Sequence, residues 1–320
     1  MFEARNLPPA VAVEYKGCPN GCKLNDELLF YAKDRFHNLP GEFPLVRCKT
    51  CNLVRTNPRP TLDSLAFYYP DDYAPYQGTK VEGNINMPRP SLGYRILRKI
   101  FDSKTKAIPP LPPGKMLEVG CASGSFLHEM AFKGWDVYGI EPSESAAAMA
   151  RKLGYKVHTG PIETAPDDYT GMDLVAMWVV IEHLSDPVHV FKKIHGCLKD
   201  DGWLCVSTHN IGSFLFKKFK ENYYDNHIPN HLYHFSASTL QQFLERNGYE
   251  VIKIIHNRVL QSLLGSIAFK RMAKNPQDIW AKRLLNLNFK TIALFFPITY
   301  VLSLLGQTGR MTVWARKKKI

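Results

Sequence analysis

Between Lys115 and Glu141 the chain sets two carboxylates around two glycines, Glu118-x-Gly120-x-x-x-Gly124 followed by Glu141. Gly120 and Gly124 have no Cβ, so the backbone there can bend sharply and bring N–H groups against a ligand. Glu141 ends the next apolar segment about 20 residues beyond the turn, where a carboxylate accepts hydrogen bonds from a ribose diol. Together these residues predict a nucleoside-binding βαβ unit. Upstream, Cys18-Pro-Asn-Gly-Cys22 and Cys48-Lys-Thr-Cys51 form two cysteine pairs. Two such knuckles bring four thiolates to tetrahedral distance, as structural Zn2+ requires; the alternative is four unligated thiols in a loop-rich cap. Cys121, Cys197 and Cys205 read as small core residues. His183, His209, His231 and His234 follow apolar segments downstream and titrate near neutral pH, as a general base must. The same side chains would equally cap helices or satisfy loop carbonyls.

The elements that position these groups are legible as apolar runs. Strands are predicted at Met116–Val119, Asp136–Ile140, Tyr155–Thr159, Asp173–Trp178, Gly202–Ser207, Val251–His256 and Arg310–Arg316, with helices between them. Ligands of open α/β sheets bind outside the carboxyl ends of the strands, which is where the four histidines fall.

A pyrophosphate-binding turn would carry Gly-x-Gly-x-x-Gly and no acid before it. Glu118 instead suits a ligand bearing sulfonium and ammonium groups. The segment resembles the class I S-adenosylmethionine-dependent methyltransferases, whose signature is Glu/Asp-x-Gly-x-Gly-x-Gly followed by Gly-hydrophobic-Glu/Asp; Ala122 departs from it where a glycine is usual. Further matching stretches are Gly160-Pro-Ile-Glu163, Glu182-His-Leu-Ser-Asp-Pro187 and His231-Leu-Tyr-His-Phe-Ser236. With the cysteine knuckles, Asn57-Pro-Arg-Pro60 and the tyrosine-rich Phe67–Tyr76, the chain resembles the zinc-ribbon branch associated with sugar and glycan biosynthesis. The resemblance implies an α/β fold: a seven-stranded Rossmann-like methyltransferase sheet, an N-terminal zinc-ribbon cap, and a helical insertion before a last strand that enters antiparallel between strands five and six. It implies S-adenosylmethionine held by Glu118, Gly120 and Gly124 (methionine part), Glu141 (ribose) and Ile162 with Glu163 (adenine), with Cys121, Ala122, Pro142 and Trp178 as further cofactor-binding residues. His183 is the expected base or aligner, with His231 second. Cys18, Cys22, Cys48 and Cys51 would hold the zinc, and Tyr73 and Tyr76 would fold over the cofactor or pack the lobes together. The expected division is a cap with its tyrosine-rich loop (1–77), a linker and basic helix (78–113), the methyltransferase domain (114–258 plus 307–320) and an apolar, basic helical insertion (259–306).

Net charge is +12, from 41 basic and 29 acidic residues. Residues 251–320 hold 13 Lys and Arg against one acid, Asp278, leaving 28 of each sign in the first 250. The cap and nucleoside lobe are therefore neutral, which disfavours a zinc-ribbon RNA methyltransferase and nucleic acid as a partner. The basic end is also apolar. Its uncharged run from Thr291 to Gly306 is about 16 residues, short of the ~20 that span hydrocarbon, and both its ends belong to one sheet. An element lying on or dipping into an anionic membrane surface is expected, against packing on the domain or a partner subunit. Met1–Arg5 lacks a basic segment leading into an apolar core, so a cytoplasmic location, peripheral on the inner membrane face, is expected. The predicted activity is methyl transfer from S-adenosylmethionine to a sugar, glycan or lipid-linked glycan intermediate. The remaining alternative, a non-catalytic membrane adaptor, would require loss of the Glu118, Gly120 and Glu141 pattern.

Overall fold

A computed structural model describes residues 2–69, 107–286 and 289–318. Tyr73 and Tyr76, the linker at 78–91 and the basic helix expected at 92–101 lie outside the described residues. The N-terminal lobe contains β1 (Val13–Glu14), β2 (Asp26–Lys33), β3 (Glu42–Cys48), β4 (Val54–Thr56) and β5 (Arg59–Pro60). The larger lobe contains β6 (Lys115–Val119), β7 (Asp136–Glu141), β8 (Lys156–Thr159), β9 (Met172–Trp178), β10 (Leu198–His209), β11 (Tyr233–His234), β12 (Tyr249–Asn257) and β13 (Arg310–Lys317).

Seven of these strands form one mixed sheet in the order β12-β13-β10-β9-β6-β7-β8. Strands β6 to β10 run parallel, and β13 enters antiparallel to both β10 and β12, as the sequence predicts. β9 reads Met-Asp-Leu-Val-Ala-Met-Trp and buries all but Asp173, because helices cover both faces of a central parallel strand. The Ser125–Phe132 and Glu144–Lys152 helices follow β6 and β7; Ser143 caps the second by accepting from the Ala146 N–H.

The cap is not a separate body. Its sheet has the order β11-β4-β3-β2, and β11 belongs to the larger lobe, pairing Tyr233 with Arg55 and His234 with Val54. Arg55 makes a buried ion pair with Asp26 at 2.6 Å. Arg59 reaches the Ser185 carbonyl at 3.0 Å, and the Thr56 hydroxyl donates to the His231 carbonyl at 2.7 Å. The residues after the second knuckle therefore anchor the loop that carries His231.

Between β12 and β13 stand three helices, Leu260–Met272, Ile279–Leu285 and Phe289–Leu304. The first buries Leu260, Leu263 and Leu264 in a core shared with Phe43, Leu45, Phe219 and Tyr223, and Phe269 against Phe36 and Tyr224, so it packs inside the protein. The third instead exposes apolar side chains on one face. Among the described residues no helix is long and apolar enough to cross a membrane.

Candidate functional site

The turn after β6 is left-handed at three positions, Gly120 (φ 74°), Ala122 (φ 47°) and Gly124 (φ 83°). A Cβ on Gly120 would lie 2.5 Å from Val180 Cγ2, and one on Gly124 2.9 Å from Ala150 Cβ, so both glycines meet close neighbours. Ala122 adopts the same backbone region at a cost of about 1–2 kcal/mol. Its N–H is also held, donating to Glu141 Oε2 at 2.8 Å, while Ser143 N–H donates to Oε1 at 2.9 Å. Glu141 thus braces the turn from the next strand, and each oxygen keeps a second lone pair for a diol.

One expectation is corrected here. The N–H groups of Gly120, Cys121 and Gly124 are not free for a ligand: Gly120 and Cys121 both donate to the Ile140 carbonyl (2.8 and 3.1 Å), and Gly124 donates to the Cys121 carbonyl. The charged groups beside the turn are carboxylates, Glu118 buried on β6 and Glu141 at the end of β7.

The other predicted cofactor residues line the same carboxyl edge. Pro142 is exposed just past β7, Ile162 is buried and Glu163 half-buried in the short turn after β8, and Cys121 is buried beneath the bend. Trp178 ends β9, where its ring meets Phe126 edge-on at 5.1 Å. Immediately beyond, Val179 has φ 61°, a rare conformation for a β-branched residue, which turns the chain so that Val180 faces Gly120.

The histidines converge on this edge. His183 Nδ1 lies 2.9 Å from the Tyr69 hydroxyl and 3.0 Å from the Asn230 carbonyl. The carbonyl fixes the proton on Nδ1 and leaves Nε2 as the basic nitrogen. The His231 ring meets His183 edge-on, centroids 4.7 Å apart, and lies near-parallel to both His209 (4.7 Å) and His227 (4.9 Å), whose own centroids are 6.5 Å apart. Its Nδ1 is 3.0 Å from the Asp225 carbonyl. His209 bridges two acids, with Nδ1 3.1 Å from Glu182 and Nε2 3.4 Å from Asp225. Two of the expected loop histidines end up on strands: His209 closes β10, and His234 sits in β11 with Nε2 3.2 Å from the Thr56 hydroxyl. Burial lowers the His183 pKa, against the pull of Glu182, and holds His227 and His231 well below the usual imidazole value, each neighbouring ring adding to the effect. His234 is pushed down to about 3, chiefly by burial. Burial raises the Glu182 carboxyl, but the facing His209 and His183 outweigh it and leave the group lowered. Burial thus favours the neutral form of His183, His227, His231 and His234.

Residues Tyr69, Asn230, Asp225 and His227 were not anticipated from the sequence. The last three lie in the irregular stretch before His231, where no periodicity marks them.

In the cap, the sulfur atoms of Cys18, Cys22, Cys48 and Cys51 all lie within 4.8 Å of one another, with Cys18 and Cys51 3.5 Å apart. Tetrahedral zinc with bonds near 2.3 Å needs sulfur separations of about 3.8 Å, so the set fits the ion. It does not fit a disulfide, whose sulfurs are about 2.05 Å apart. Burial raises the Cys51 thiol, but the nearby Asn20 amide and Leu53 N–H bring it down to about 7, favouring a thiolate.

Residues 93–254 match the family described as "Methyltransferase domain". The chain belongs to this family. Its methyltransferase domain carries the seven-stranded mixed sheet β12-β13-β10-β9-β6-β7-β8. Curated relatives include the ubiquinone biosynthesis O-methyltransferases of Bordetella avium, 33% identical over 152 residues (42% of this chain, 63% of the relative), and of Acinetobacter baumannii, 30% identical over 132 residues (38% and 56%). The chain thus spans little more than half the length of these relatives. Similar solved structures include S-adenosylmethionine-dependent methyltransferases from Thermotoga maritima (21% identity, TM-score 0.46, covering 71% of this chain and 95% of that one) and Mesorhizobium loti (15%, 0.42, 71% and 98%).

Proposed function

We propose that this methyltransferase modifies a sugar, glycan or lipid-linked glycan intermediate presented at the cytoplasmic face of a membrane. The observation carrying the membrane part is the exposed face of the Phe289–Leu304 helix. Leu294, Ile298, Val301 and Leu304 are 69%, 48%, 53% and 71% exposed and recur at three- and four-residue intervals along one side, followed by Leu305. Trp280 is exposed nearby in sequence, with the Arg283 guanidinium over its ring at 5.1 Å, and Arg258 covers Tyr300 at 5.4 Å. Apolar faces rimmed by cations suit anionic lipid surfaces. The relatives' name favours a second reading, O-methylation of a lipid quinone intermediate; it shares a lipid-bearing acceptor with the lipid-linked form of the first.

S-adenosylmethionine, when bound, supplies an electrophilic methyl group. Glu118, Gly120 and Gly124 would hold its methionine part, Glu141 its ribose and Ile162 with Glu163 its adenine, with Cys121, Ala122, Pro142 and Trp178 beside it. His183 Nε2 would remove the proton of an acceptor hydroxyl, with Nδ1 anchored by Asn230. Cys18, Cys22, Cys48 and Cys51 would hold structural zinc, which a cap of this size needs because its own core is small. The neutral cap and nucleoside lobe support a non-nucleic-acid acceptor.

The test incubates the protein with methyl-labelled donor and membrane extract and identifies the labelled product by mass. Label in a saccharide-bearing lipid supports the first reading, and label in a quinone precursor the second. Label confined to RNA or protein would overturn both. Because Leu260–Met272 is buried, membrane contact is probed by Leu294→Glu/Val301→Glu, which should abolish co-sedimentation with anionic liposomes. Unchanged sedimentation would remove the membrane assignment.

A further inference from the structure

We propose that Glu182, His209 and His231 form a second metal site, taking a divalent first-row transition ion beside His183. One ligand atom from each lies within 4.8 Å of the others, and all three residues are buried, at 1%, 6% and 2% exposure. Among the described residues, neither Glu182 oxygen accepts an aligned hydrogen bond. His209 Nδ1 stands 3.1 Å from Oε1 but out of line for donation. A buried carboxylate without aligned donors costs several kcal/mol unless a cation or water compensates it.

The separation of Glu182 Oε1 and His209 Nδ1, 3.1 Å, suits two ligands of one ion. Two donor atoms about 2.1 Å from a metal and 90–110° apart are separated by about 3.0–3.4 Å, which includes the Glu182–His209 distance. The outer contacts also suit ligation. The Asp225 carbonyl, 3.0 Å from His231 Nδ1, fixes the proton there and leaves Nε2 as donor; the Asp225 carboxylate, 3.4 Å from His209 Nε2, does the same for Nδ1. Glu182 and Asp225 bring two negative charges to the site, partly offset by the Arg310 guanidinium. Arg310 Nη2, 3.3 Å from His209 Nε2, favours the competing arrangement, in which His209 turns its Nδ1 proton to Glu182 and no ion is held.

Two imidazoles and one carboxylate leave coordination positions open. Such a position would face His183, whose ring is 4.7 Å from that of His231. His231 then acts as a ligand and His183 remains the base. This consequence for methyl transfer rests on the function proposed above; ion binding does not.

The test is metal content per chain after equilibration with Zn2+, Mn2+ or Fe2+ and desalting, for the full chain, Glu182→Gln and His209→Gln. Circular dichroism and S-adenosylmethionine titration of each protein report folding. Folded variants should lose about one ion per chain, and Co2+ loaded into the full chain should show, besides thiolate bands, a weaker visible spectrum that either substitution removes. Equal metal content in all three proteins, or only thiolate-type Co2+ bands, would overturn the site. Should both variants fail to fold, Co2+ spectra of the unsubstituted chain alone decide between the two arrangements. A bound ion without labelled product would leave this site standing and reject the proposed acceptor.

Discussion

Replacing Gly120 with alanine would place a methyl group where the Val180 side chain already stands. The new Cβ would sit 2.5 Å from Val180 Cγ2, whereas carbon atoms pack at about 3.5–4.0 Å. Relieving an overlap of that size in packed surroundings costs about 1–3 kcal/mol. The backbone at φ 74° adds about 1–2 kcal/mol for a residue with a Cβ. Reduced freedom of the unfolded chain returns about 0.4–1 kcal/mol. Gly120→Ala should therefore destabilise the protein by about 2–4 kcal/mol. Only the overlap belongs to Val180, so the terms separate experimentally. In Gly120→Ala/Val180→Ala the clash disappears while the backbone cost stays, predicting a favourable coupling of about 1–3 kcal/mol in a double-mutant cycle. Denaturant unfolding of the four proteins measures it. A coupling under about 0.5 kcal/mol would show that Val180 does not close over the turn, and the geometry argued for the cofactor edge would be wrong there.

Two further perturbations probe the histidine cluster and the cap. Because the folded protein holds His234 at about 3, below its ordinary value near 6.5, the unfolded chain binds the proton first; stability from this group is complete above about pH 6.5 and falls as pH drops toward 3. By pH 5 the loss is about 2 kcal/mol, and a folded His234→Asn should show a correspondingly flatter stability profile between pH 6.5 and 5; an unchanged slope would contradict the burial argument. Chelation or Cys51→Ser should release the cap's ion and loosen β2 to β4, with amide exchange there rising by at least about tenfold while the β6 and β9 cores stay protected. Uniform protection after metal removal would mean the four thiols are not a structural site.

Much of the fold was legible because parallel strands buried on both faces must be apolar runs: Met172–Trp178 and Met116–Val119 announce themselves, and the acid and glycines between β6 and β7 have few other uses. The four cysteines were legible from spacing alone, and the position of β13 from the family resemblance. The attachment of the cap was not, since the two-residue strand Tyr233–His234 has too little pattern to be read and pairs across some 180 residues with Val54 and Arg55. Nor was the internal use of the turn's N–H groups, which depends on how closely Ile140 approaches Gly120 and Cys121. His209 looked like a loop residue, and nothing marked Val179, because propensity for a β-branched residue argues against the left-handed backbone it adopts. The meeting of Glu182, His209, Asp225 and His231 is purely tertiary; no local period links them.

The central claim is a cofactor pocket bounded by Glu118, the Gly120–Gly124 bend and Glu141. Calorimetric titration with S-adenosylmethionine tests it most directly. Binding at a single class of sites with a dissociation constant in the micromolar range is predicted, weakened at least tenfold, about 1.4 kcal/mol, in a folded Glu141→Ala. Absence of binding heat across several temperatures, or equal affinity in Glu141→Ala, would contradict it.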